Sequence, residues 1–142
     1  MPKQAISQIQ FRLNKLAQIG IYGVALQFVL GTVVSIWNIP PSEETATQKS
    51  PLFASISFDL HMLLALTLIV FSIYVLTVAI KAGVKKFKSI AIACLGSVVV
   101  ATLGGSSIFY APDAWVGVGL FIMGLGFLGA FFHYFRLLMN TK

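Results

Sequence analysis

Four long apolar runs, separated by polar or basic breaks, set the pattern of this chain. They cover residues of about 17–37, 58–80, 89–110 and 114–138. Read as helices rising ~1.5 Å per residue, each is long enough to cross a hydrocarbon core of ~30 Å. Asn38-Ile39-Pro40-Pro41 closes the first run, because two prolines cannot continue the helical hydrogen-bond ladder. The stretch 38–57 is the one long polar loop, and 81–88 is a short basic turn carrying Lys81, Lys85, Lys86 and Lys88. Ala111-Pro112-Asp113 predicts a tight turn into the fourth span. Ahead of the first span, Ile6, Ile9, Leu13 and Leu16 fall at helical spacing among Lys3, Arg12 and Lys15. That pattern predicts a short helix over 1–18 lying on an anionic leaflet.

Composition says the same in bulk. Of the 142 residues, 58% are hydrophobic and only 10% charged, with mean hydropathy +0.91. A soluble domain needs about a quarter of its residues charged to wet its surface. The chain is therefore expected to be an all-α integral membrane four-helix bundle forming a single four-span domain over 1–142.

The net charge of +6 raises the question of nucleic acid, and the positions of the charges answer it. In a four-span arrangement Lys3, Arg12, Lys15, Lys81, Lys85, Lys86, Lys88, Arg136 and Lys142 share one side. Lys49 stands on the other with Glu43, Glu44, Asp59 and Asp113. The positive-inside rule then predicts both termini in the cytoplasm, 81–88 as an inner loop and 38–57 as an outer loop of a plasma-membrane protein. Trp37, Tyr110 and Trp115 cluster at the outer ends, as an interfacial aromatic belt does. Anionic headgroups account for the basic residues, and no nucleic-acid-binding module is visible. Cys94 is the one cysteine, so no disulfide forms within the chain; it reads as a small packing residue.

Small residues mark where helices approach. Ala93, Ser97, Ala101 and Gly105 recur every four residues along the third span, and Gly126 and Ala130 repeat that spacing in the fourth. Such ladders admit a neighbouring backbone, from this chain or from another membrane subunit. Gln27, midway along the first span, needs an interhelical hydrogen bond.

Two histidines carry the candidate chemistry. An ionisable residue inside a membrane is a functional candidate, and imidazole is the usual axial ligand of haem iron in helical bundles. His61 falls about one turn inside the second span, preceded by Asp59 and followed by Met62. His133 falls nineteen residues beyond Ala114 in the fourth, which predicts a separation in depth of ~28 Å. Two ligands of one iron must share a depth, so the pair is not expected to hold a common haem. His133, beside Phe132, Tyr134 and Arg136, reads as an inner-interface residue. His61 remains the candidate axial ligand of a haem b, alone or with Met62 or a partner's residue.

A faint internal repeat lays Phe58-Asp59-Leu60-His61 over Pro112-Asp113-Ala114-Trp115, and Leu30-Gly31 over Leu103-Gly104. It would divide the chain into two tandem helical hairpins. A first helix containing Leu-Gly, a loop, then Phe58-Asp59-Leu60-His61 opening the second helix resembles small four-helix membrane proteins of prokaryotes. These include a poorly characterised family and, more distantly, cytochrome b-type proteins and half of a haem A synthase. The resemblance implies haem and electron transfer. The cytochrome-like relatives add a histidine near the outer start of the fourth helix, where this chain has Trp115. Haem A synthases place a glutamate and an arginine around the histidine, where this chain has Asp59 and Met62.

Three functions are compatible with these features. The first is a non-catalytic accessory subunit packed into a larger respiratory or oxidase-type membrane complex. The second is a haem-b electron-transfer protein using His61. The third is a small transporter or channel, disfavoured because no span is broken by proline and no charge lies mid-membrane. No base is placed to activate a serine or threonine, so nucleophilic catalysis has no support.

Overall fold

A computed structural model describes residues 3–37, 52–110 and 113–141. These residues form four helices: α1 (Lys3–Trp37), α2 (Leu52–Lys81), α3 (Lys85–Tyr110) and α4 (Asp113–Asn140). All four are long and apolar enough to span a membrane. Helix is what the chemistry requires, because in lipid each backbone N–H and C=O must find its partner within the segment.

The helices outrun the apolar runs that predict them. The segment expected to lie separately on the leaflet is the opening stretch of α1, continuous with the span. Gln, Lys, Arg, Leu and Ala are all good helix formers, and nothing in 3–37 breaks the ladder. Likewise α2 begins at Leu52, six residues before the expected start, and α3 at Lys85. Hydrophobicity sets where lipid can sit, whereas breakers set where a helix stops. Gly83 is such a stop. Its φ of +69° closes α2 in the left-handed region that glycine enters without strain. Its N–H bonds Ile80 O at 3.0 Å, and the basic turn shrinks to three residues between helices.

The four helices pack as a closed ring, α1 on α2, α2 on α3, α3 on α4 and α4 on α1. Each neighbour runs antiparallel to the next, which brings the two ends of the described chain to the same end of the bundle. There the Asn14 side-chain amide donates to Thr141 Oγ1 at 3.2 Å, and Gln18 donates to Asn14 Oδ1 at 3.1 Å. The same end carries exposed Arg12, Lys15, Lys81, Lys85, Lys86, Lys88 and Arg136, while Asp59 is exposed in the opposite half.

Inside the ring lie Leu13, Ala17 and Val24 of α1, Leu68, Val75 and Ala79 of α2, and a longer α3 set from Phe87 to Ala101. Phe127, Ala130, Tyr134 and Leu137 of α4 close it. The circumference is apolar too, with Tyr22, Val70, Phe121 and Leu128 all about two-thirds exposed or more. In water so wide an apolar belt would drive association. In lipid it is the surface that bilayer contact requires.

A candidate polar site between two helices

Gln27 and His61 meet in the seam between α1 and α2. Gln27 is 2% exposed although it sits in an apolar span. Its Nε2 donates to the backbone carbonyl of His61 at 3.0 Å and approaches His61 Nε2 at 3.3 Å. One turn further along α1, Gly31 makes room for the ring: a Cβ there would lie 2.9 Å from His61 Cε1 and 3.4 Å from Nδ1. Gly23 makes similar room a turn in the other direction, where a Cβ would meet Leu68 Cδ2 at 2.9 Å. The polar demand of Gln27 was readable in the sequence. Its partner was not, because nothing in the chain pattern aligns residue 27 with residue 61.

This geometry bears on haem. An axial ligand must turn a ring nitrogen towards iron, with room beside it for a macrocycle. Here Nε2 of His61 faces the Gln27 amide and Nδ1 packs against Gly31. Both nitrogens point into helix packing, so the residues as arranged do not fit the group. Met62, the sequence candidate for a second ligand, is exposed.

The separation expected between the histidines is too large. His61 packs at the level of Gly31, and Phe28 packs edge-on against Phe127 at 6.1 Å between ring centroids. His61 therefore lies within about a turn of Phe127, and His133 is six residues further along α4. That is a depth difference on the order of 10 Å rather than ~28 Å. The error came from starting α2 at residue 58 instead of Leu52. The two histidines still stand apart, on helices diagonal across the ring. The His133 ring lies edge-on to Phe132 at 5.4 Å, and its buried Nδ1 makes no hydrogen bond.

A second polar knot was missed by sequence reading. Tyr134 of α4 is fully buried and reaches across the bundle to Ser72 of α2, O to O 2.8 Å. The Ser72 hydroxyl donates to Leu68 O at 2.7 Å, so the tyrosine O–H is the donor to Ser72. Gly20 of α1 accommodates the ring, where a Cβ would lie 2.5–2.8 Å from Cε1, Cδ1 and Cζ. One side chain thus connects three helices. The available signal was a lone serine in an otherwise apolar stretch of α2.

The small residues of α3 and α4 face each other. A Cβ on Gly126 would run into the backbone of Ala101. One on Gly129 would lie 2.7 Å from Ser97 Oγ, and one on Gly104 2.5 Å from Met123 N and 2.9 Å from Gly119 O. Gly105 meets the Met123 sulfur at 3.3 Å. Ala130 is buried in the same core as Ala101, and Cys94 is buried beside them on α3. Ala93 lies one turn before Ser97 and is half-buried. Among the described residues, no three His, Cys, Asp or Glu side chains come together as a metal site.

Compared with protein-family models, curated proteins and solved structures, the chain matches none of them.

Proposed function

We propose that this multi-pass membrane chain is a non-catalytic accessory subunit of a larger membrane assembly, of the respiratory or oxidase type. The observation that carries the reading is the setting of His61. The one ionisable side chain well placed for cofactor chemistry turns both ring nitrogens into the α1–α2 seam, where it holds two helices together. What remains for interaction is the apolar circumference, which suits lipid and the helices of other subunits. The glycine and alanine ladder engages within the chain, so partners would meet larger side chains such as Leu128 and Phe121.

In the same proposal the basic end faces the cytoplasm of the plasma membrane, with both termini there. The support is the segregation of seven exposed cations at that end. Labelling of a cysteine introduced at Lys86, in a Cys94→Ala background, tests this: a membrane-impermeant maleimide should reach it only after the inner face is opened.

The functional test is gentle purification from native membranes, followed by native electrophoresis and a reduced-minus-oxidised spectrum. The expected result is migration with defined partner subunits and no haem band that follows this chain once they are removed. A haem-b α-band retained by the isolated chain and lost in His61→Ala overturns the reading in favour of electron transfer.

A further inference from the structure

The Gln27–His61 contact leaves two polar atoms over, and their chemistry is complementary. Gln27 Oε1 and His61 Nδ1 are both buried and make no hydrogen bond among the described residues. The orientation of the amide follows from its surroundings. Turned over, it would set Oε1 against the His61 carbonyl at 3.0 Å, acceptor against acceptor. With Nε2 of Gln27 donating, Nε2 of His61 must accept, so in a neutral ring the proton sits on Nδ1. The site therefore presents one free acceptor, Oε1, and one free donor, Nδ1–H. The two flank a single contact, being the other heteroatom of the same amide and the other nitrogen of the same ring.

A buried amide oxygen and a buried N–H without partners each cost roughly 1–3 kcal/mol in an apolar setting. A charged ligand would cost more still at this depth. The neutral group that satisfies both at once is a hydroxyl, which donates to Oε1 and accepts from Nδ1–H. We propose that Gln27 and His61 form a binding site for a hydroxyl group, held between the Gln27 Oε1 acceptor and the His61 Nδ1–H donor. Water and the hydroxyl of a membrane-dissolved alcohol or phenol share this chemistry. The site does not depend on the subunit reading, since it concerns only the inside of this chain.

Solid-state NMR on the 15N-labelled full chain in bilayers decides the matter. His133→Gln removes the other imidazole and leaves the His61 signals alone. The expected spectrum is a neutral Nδ1–H tautomer whose N–H proton receives magnetisation from a hydroxyl proton. Transfer from the water pool identifies water as the ligand. Transfer from a non-exchanging hydroxyl, together with a hydroxylated amphiphile in the organic extract of the same sample, identifies the lipid-soluble source. Gln27→Leu should abolish the transfer in either case. An Nε2–H tautomer, an imidazolium, or an Nδ1–H proton receiving no hydroxyl transfer overturns the proposal. The unsubstituted site gives that reading even if Gln27→Leu does not assemble.

Discussion

The seam between α1 and α2 and the seam between α3 and α4 are both antiparallel helix pairs, yet they are built in opposite ways. On the α3–α4 side, glycines bring one backbone onto the other: Gly126 against Ala101, Gly104 against Met123 N and Gly119 O. On the α1–α2 side, the glycines make room for side chains, Gly31 for the His61 ring and Gly23 for Leu68, and an amide ties the pair. Without a hydrophobic driving force between helices in lipid, association rests on packing and interhelical hydrogen bonds. Each seam relies chiefly on one of these. The close-packed seam cannot yield, whereas the polar one keeps adjustable side chains and unsatisfied atoms, which is where a ligand can enter.

The comparison breaks first at Gly126. Gly126→Ala forces a methyl group into the Ala101 backbone, and overpacking of this kind costs about 1–3 kcal/mol or more. Gly104→Ala should behave alike. Equilibrium unfolding in mixed detergent micelles would read the loss, and an unchanged midpoint would show that the seam is looser than described. Next comes Gly20→Ala, where the obstacle is the Tyr134 ring, pinned by its bond to Ser72. A loss of about 1–3 kcal/mol is expected. Much of it should be relieved when Tyr134→Leu is added, so that the two changes are strongly non-additive in a double-mutant cycle.

Smaller effects sharpen the polar side. Gln27→Leu removes the donor to His61 and should cost about 0.5–2 kcal/mol by the same unfolding measurement. Tyr134→Phe should cost about 0.5–1.5 kcal/mol, because Ser72 keeps its bond to Leu68. The smallest effect belongs to Gly117→Ala and Gly124→Ala. A Cβ there meets nothing within 4 Å, so stability should stay within about 0.5 kcal/mol of the parent. A large loss at either position in native membranes, but not in the isolated chain, would mark the face on which a partner subunit packs.

Four spans and the all-helical class follow from the sequence alone, because bilayer thickness and backbone satisfaction leave few other solutions for apolar runs of this length. The closeness of α3 and α4 was legible in the spacing of small residues, since only missing side chains let backbones meet. The need of Gln27 for a partner was legible as well, through the cost of an unpaired amide in lipid. Tertiary structure decided the rest. It matched Gln27 to His61, set Gly31 under the imidazole, and sent Tyr134 across the ring to Ser72 past Gly20. It also placed His61 deeper than the edge of its apolar run implied, because α2 begins at Leu52. Periodicity says which face of a helix a residue occupies. Which residue it faces depends on the register between helices, a property of the pair that neither stretch of sequence contains.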